Sequence, residues 1–242
     1  MGRGAEIQTY KVDVPALFVP NVLLVASDEV DARIGSLTVD DSRFAKWRTV
    51  SGEGDEPEHA SALKVLVCGV FEKSRFSDYL QNFVTFEVER DQIVKKIAGY
   101  HQFHAVRRAV RETERASAER GDRRIGVVWH TQGSGKSLSM VFYARKLVRS
   151  LAMENPTIVV LTDRNDLDDQ LFGTFAQARS LLGQPPQSAQ NRVQLREMLN
   201  VASGGIFFTT IQKFLPPEGE SHPALSDRRN IVVIADEAHR SQ

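Results

Sequence analysis

The sequence predicts an α/β protein in which a parallel sheet is covered by helices on both faces, with a smaller mixed α/β unit ahead of it. Three observations carry that expectation. First, Ile125-Gly126-Val127-Val128-Trp129 is a short β-rich run that enters a glycine-bracketed loop and leaves it as an apolar-periodic segment from Leu138 to Leu151, the context a phosphate-binding loop requires. Second, Thr157–Thr162, Gly205–Thr210 and Ile231–Ala235 are continuously apolar rather than alternating, as strands buried on both faces are. Third, helix-spaced apolar residues lie between the first two of them: Leu167, Leu171, Phe172 and Phe175, then Val193 to Val201. The order thus reads strand, helix, strand, helix, strand, strand, and right-handed crossovers place the loop after Trp129 and the end of the last strand on one edge.

With 242 residues there is room for one large or two small cores. Lysine plus arginine and aspartate plus glutamate both number 31, so the whole-chain balance carries no nucleic-acid signature, although a local basic surface would be invisible in that sum. Cys68 is the only cysteine, which excludes an internal disulfide framework and a cysteine-based metal site. Met1 to Glu6 lacks the apolar core of a signal peptide, and no apolar run is long enough to span a bilayer. The simplest expectation is a cytoplasmic protein without a membrane partner.

Taken in order, Ile7 to Pro20 reads as a strand or helix fragment. Val22–Ala26 and Arg33–Val39 read as strands joined by a turn through Ser27-Asp28-Glu29. Phe44 and Trp47 read as core anchors, and Ser51–Ala60, acidic and aperiodic, as an exposed loop. Phe76, Leu80 and Phe83 fall on helical spacing, and Val84–Val88 turns strand-like. Ile93 to Arg120 reads as one long helix, with Tyr100, Phe103 and Val106 on its apolar edge and Arg107, Arg108, Arg111 and Arg115 alternating with glutamates on its solvent side. Gly183–Asn191 and Pro216–Glu220 read as polar surface loops.

Gly133 and Gly135 allow the backbone to curl so that its N–H groups and the following helix N-terminus face one anion. Lys136 supplies a point charge for the β- and γ-phosphates, and Ser137 a hydroxyl oxygen for Mg2+. The general pattern would place its first glycine where this chain has His130. The last strand ends in Asp236-Glu237-Ala238-His239. Nucleotide hydrolysis needs two such groups at a strand end, Asp236 to hold the Mg2+ hydration shell and Glu237 to orient and polarise the attacking water.

This pairing resembles superfamily 2 helicases and translocases, whose phosphate loop tolerates a non-glycine at position 130. The match narrows with Val128 through Ser137, Thr157 through Asp168, Thr209-Thr210 with Ile211-Gln212-Lys213-Phe214, and Asp236 through Gln242. Together with Ala32–Leu37 and Tyr100–Ala105 they are similar to the restriction (motor) subunit of type I restriction-modification enzymes. The resemblance implies a RecA-like sheet after a remnant of a restriction-endonuclease-like domain. The expected divisions are residues 1–60, the tail of the nuclease-like domain and a linker; 61–95, a connecting α/β segment; and 96–242, a first RecA-like domain ending after the Asp-Glu-Ala-His motif. It implies ATP and Mg2+ as cofactors, and double-stranded DNA plus the methylase (modification) and specificity subunits as partners. Thr131, Gln132, Gly133, Ser134, Gly135, Lys136 and Ser137 would hold the nucleotide, and Gln102 would read the adenine edge. Asp163, Arg164 and Asn165, and then Thr209 and Thr210, would contact a DNA phosphate backbone without reading sequence.

In that family nuclease carboxylates precede a Gln-x-x-x-Tyr element. Here Glu6 stands four positions before Tyr10, so cleavage chemistry is expected elsewhere. His101, His104 and His130 lack the partners of a hydrolase zinc site. Two readings stay open: a portion of an ATP-dependent DNA translocase, and a non-enzymatic nucleotide- and subunit-binding fragment. A kinase or GTPase accounts for neither Asp236-Glu237-Ala238-His239 nor the strand-end threonines.

Overall fold

A computed structural model describes residues 3–28, 30–131, 133–162, 165–214 and 224–236, with the side chains of 3–5, 41 and 165–169 outside that description. The chain divides into two compact units, Met1–Ala105 and Val106–Gln242.

The first unit opens with helix α1 (Arg3–Asp13), followed by the antiparallel meander β1 (Leu24–Ser27), β2 (Ala32–Gly35) and β3 (Ala45–Lys46). The turn between β1 and β2 is held by Asp28, whose Oδ1 accepts the N–H groups of Val30 and Asp31 at 2.7 Å each. Helices α2 (Ala62–Val70) and α3 (Lys73–Asn82) follow, each started by a side-chain cap, Ser61 on Lys64 N–H and Glu72 on Ser74 and Arg75 N–H. The core is aromatic: Trp47, Tyr79, Phe83 and Phe103 are buried with ring centroids 4.8–6.1 Å apart in tilted, edge and stacked contacts. Phe44 and Trp47 are therefore core anchors, as their sequence context indicated.

One expectation fails here. The segment from Ile93 does not begin a helix. β4 (Val84–Glu89) and β5 (Gln92–Ile97) form an antiparallel hairpin, and helix α4 runs only from Tyr100 to Ser117. The cause is a two-residue turn in which Arg90 and Asp91 both adopt positive φ, 48° and 63°. That geometry matches the twist of a hairpin but usually announces itself by glycine or asparagine.

In the second unit α5 (Lys136–Val148) leads to β6 (Thr157–Thr162), α6 (Asn165–Gln177), the single turn α7 (Arg179–Leu182), β7 (Gln187–Ser188), α8 (Arg192–Leu199), β8 (Ile206–Thr210) and β9 (Ile231–Ala235). The sheet order is β7-β8-β6-β9, parallel throughout. β7 is a two-residue strand inside the stretch expected to be only loop. Successive side chains of β8 point to opposite faces. Phe207 packs with Val159 against Leu195, Met198 and Leu199 around α8, while Phe208 meets the rings of Phe172 and Phe175 on α6 edge-on at 5.2 and 5.1 Å. Helices thus cover both faces, which is why the strands read as continuously apolar. This is a RecA-like parallel sheet, and the smaller antiparallel sheets of the first unit are consistent with a restriction-endonuclease-like accessory domain.

A second expectation also fails. Residues 124–131 carry no regular secondary structure, and the run before the glycine loop is not a strand of the sheet. Val127, Val128 and Trp129 are 90%, 57% and 89% exposed. β-propensity describes a fit to a pleated, half-buried surface, and among the described residues no neighbouring strand supplies that surface.

Candidate functional site

The loop that follows keeps the backbone its sequence demands. Gly133 and Gly135 both sit at φ 79°, a left-handed conformation open to glycine at little cost. A side chain at Gly133 would meet open space, so the requirement there is the sign of φ and not crowding. Ser134 closes the turn by donating its N–H and hydroxyl to the Thr131 carbonyl at 3.2 and 2.7 Å. Gly135 is the N-cap of α5 and offers no side-chain cap, and the first internal bond of the helix is Ser139 N–H to the Gly135 carbonyl at 3.0 Å.

Lys136, Ser137 and Leu138 therefore present three backbone N–H groups without partners among the described residues. An uncapped helix start, entered through two left-handed glycines and flanked by the exposed Lys136, is chemically suited to a phosphate group. Leu138 was not singled out from sequence, because its contribution is a main-chain N–H that any residue would supply. Gln132 lies outside the described residues.

The carboxyl ends of the central strands lie level. Leu161 pairs in register with Thr209 and with Ala235, and Thr162 with Thr210. Asp236 follows directly, its N–H donating to the Leu161 carbonyl at 3.0 Å. The fold thus brings Thr209, Thr210 and Asp236 to one edge of the sheet. Asp163, Arg164 and Glu237 lie outside the described residues, as does the side chain of Asn165, whose backbone opens α6. Thr209 and Thr210 are buried, and the Thr209 hydroxyl has no hydrogen-bond partner among the described residues.

Gln102 belongs to the first unit, where it is 5% exposed. Its Oε1 accepts the Gly99 N–H at 2.8 Å, a contact that caps the start of α4.

Two arginines that sequence reading passed over set the entry to β9. Arg228 donates to Thr157 Oγ1 and the Val201 carbonyl, each at 2.9 Å, and to Asn230 Oδ1 at 3.2 Å. Arg229 donates to the carbonyls of Ser117, Ala118 and Gly121, satisfying the C-terminal end of α4. Two adjacent arginines just ahead of an apolar strand were the available signal.

A RecA-like sheet beside a glycine-formed, uncapped helix start defines a protein of the phosphate-loop class. A family model for the SWI2/SNF2 ATPase matches residues 101–242, and the chain belongs to that family. It is 50% identical, over 98% of its length, to the type I restriction enzyme HindI endonuclease subunit of Haemophilus influenzae, covering 23% of that protein. It is 36% identical over 97% of its length to a putative type I restriction enzyme, the MjaIXP endonuclease subunit of Methanocaldococcus jannaschii, covering 24% of it. Against the type I restriction enzyme SauMSSORF170P endonuclease subunit of Staphylococcus aureus the identity is 34% over 64% of this chain. The chain spans about a quarter or less of the length of these relatives. Membership of the family supports an ATP-dependent motor role. Among the described residues no helix is long and apolar enough to cross a membrane.

Proposed function

We propose that the chain is the ATP-binding motor portion of a type I site-specific restriction endonuclease subunit, coupling ATP hydrolysis to movement along double-stranded DNA in a complex with modification and specificity subunits. The observation that supports this reading is the start of α5, where two left-handed glycines, three N–H groups unpartnered among the described residues, and Lys136 would cradle the β- and γ-phosphates. Ser137 and Asp236 would hold Mg2+, which would neutralise charge developing on the transferred phosphoryl group. Glu237 would polarise the attacking water, and Gln102 would select adenine. Asp163, Arg164, Asn165, Thr209 and Thr210 would face the DNA backbone.

Isothermal titration tests the nucleotide site. The chain should bind Mg-ATP, K136A should lose nearly all of that affinity, and D236N should lose the part that depends on Mg2+. Unchanged affinity in K136A would overturn the assignment.

A binding-only role is the second reading, and one observation favours it: the run before the loop is outside the sheet, so among the described residues no strand leads into the loop from behind. A phosphate-release assay with and without duplex DNA separates the two. Turnover that falls in E237Q and rises with DNA supports the motor, whereas binding without turnover supports the second reading.

A further inference from the structure

The arginines of α4 take no part in the site described above. Between Val106 and Arg124 the chain carries seven arginines, no lysine and four acidic residues. Successive turns bury Val106, Val110 and Thr113 and leave Arg108, Arg111 and Arg115 exposed on the other side of the helix. Spacings of three and four residues put neighbours in this row about 5–6 Å apart, and the row is about 10 Å long.

Interleaved acids would neutralise such a row, but most of them are committed elsewhere. Glu112 and Asp122 both pair with Arg115, at 2.8 and 3.4 Å, and Glu114 accepts the hydroxyl of Ser150. The side chains of Arg108 and Arg111 have no ion-pair or hydrogen-bond partner among the described residues. Both lie before the last turn of α4, so the helix dipole does not account for them.

The segment after the helix extends the row. Arg123 N–H returns to the Ala116 carbonyl at 3.2 Å, and Arg115 donates to the Arg124 carbonyl at 3.1 Å. A side chain at Gly121 would collide with the same Ala116 carbonyl, so this fold-back needs glycine there. Arg123 and Arg124, both exposed, are thereby held beside Arg115, and neither side chain has a partner among the described residues.

We propose that Arg108, Arg111, Arg123 and Arg124, ordered around Arg115, form a docking surface for the phosphate backbone of duplex DNA, in addition to the strand-end threonines. This rests on the reading that duplex DNA is the partner, and not on the nucleotide site. A guanidinium fork matches two phosphate oxygens better than an ammonium does, and the row is all arginine. Between Val106 and Arg124 there is no aromatic ring to stack an unpaired base, and no asparagine or glutamine to read a base edge. The surface therefore takes a paired, stacked duplex by its backbone and without sequence preference.

The test is titration of a labelled random-sequence duplex over a range of salt concentrations, without nucleotide. Each phosphate contact contributes about 0.9 to the slope of log affinity against log salt, so R108Q/R111Q should lower that slope by about 1.8 and weaken binding at least about tenfold at low salt. Its far-UV circular dichroism and its affinity for Mg-ATP should not change. R192Q/R196Q, an equal loss of charge from exposed positions on α8, should leave the slope as it was. Poly-glutamate, which offers carboxylates in place of phosphates, should displace the duplex only in large excess. An unchanged slope in R108Q/R111Q, an equal loss in R192Q/R196Q, or poly-glutamate competing as well as duplex per charge would each overturn the proposal. Mg-ATP binding by K136A, measured separately, tells this failure from failure of the nucleotide assignment.

Discussion

Gln102 Oε1 accepts the Gly99 N–H at 2.8 Å, so the side chain expected to read adenine also closes the first turn of its own helix. The two roles make different demands on one amide. Capping needs only an acceptor oxygen, whereas pairing with an adenine edge needs the oxygen and the NH2 together. Q102A is expected to lower stability by about 1 kcal/mol through loss of the cap. Q102E keeps the acceptor and should restore the melting temperature while losing any preference for ATP over GTP. Nucleotide titration of Q102E decides it: an unchanged preference would leave Gln102 a cap alone.

What could be read in the sequence follows from which residues carry their own signal. Thr157–Thr162 and Ile206–Thr210 form strands because each is apolar on both faces and is buried on both, whereas Ile231–Ala235 has the same composition but is only partly covered. Gly133 and Gly135 were legible because a left-handed backbone needs that residue type. Ile125–Trp129 has the same composition as a strand and is not one, since a strand is a property of a pair and composition says nothing about the neighbour. The β4–β5 hairpin was hidden for the opposite reason. Its turn uses Arg90 and Asp91 where a glycine would have declared it, and the flanking charges imitate the solvent face of a helix. Main-chain groups, such as the Leu138 N–H at the start of α5, unpartnered among the described residues, leave no trace in residue type at all.

Tyr143 couples α5 to α4. Thr113 Oγ1 donates to the Ala109 carbonyl at 2.7 Å, which commits its one hydrogen, so Tyr143 Oη must donate to Thr113 Oγ1. Burial pushes the Tyr143 phenol up to about 12, and the group stays protonated as that bond requires. Y143F is expected to cost about 1 kcal/mol, the net value of one such bond. Thermal or denaturant unfolding checks it. No loss in Y143F, or a loss in the Y143F/T113V double variant equal to the sum of the two single losses, would show that the bond contributes nothing.

Acid should weaken the first unit in a definite window. Burial raises the Asp31 carboxyl, but hydrogen bonds and charge from Arg33 and Lys46, at 2.9 and 3.2 Å, outweigh it and hold the pKa at about 2 against an ordinary 3.8. Glu72 is held at about 2 against 4.5 by the Ser74 hydroxyl and by the N–H groups of Ser74 and Arg75. Both folded values lie below the unfolded ones, so this stabilisation is fully present above about pH 4.5 and is lost as pH falls toward 2. Melting temperatures measured across that interval should fall, and less steeply in D31N. A slope in D31N equal to that of the unaltered chain would show that Asp31 does not carry the effect.

Thr209 gives the sharpest contrast between a structural and a binding role. Its hydroxyl is buried at the carboxyl end of β8, in register with Leu161, and has no hydrogen-bond partner among the described residues. A buried hydroxyl without a partner costs about 1–3 kcal/mol relative to one that is satisfied. Valine has nearly the same shape and no such group, so T209V is expected to raise stability by about 1 kcal/mol, on the order expected for removing that penalty. If the same hydroxyl meets a DNA phosphate in the working complex, the substitution must also weaken duplex binding, because the methyl that replaces it can accept no water and donate to no oxygen. Unfolding and duplex-binding measurements on T209V therefore answer separate questions. A more stable variant that binds DNA less tightly would mean that the strand end is kept strained for its ligand. A less stable T209V would show that the hydroxyl is satisfied in the folded chain, and unaltered DNA binding would remove Thr209 from the DNA-facing set.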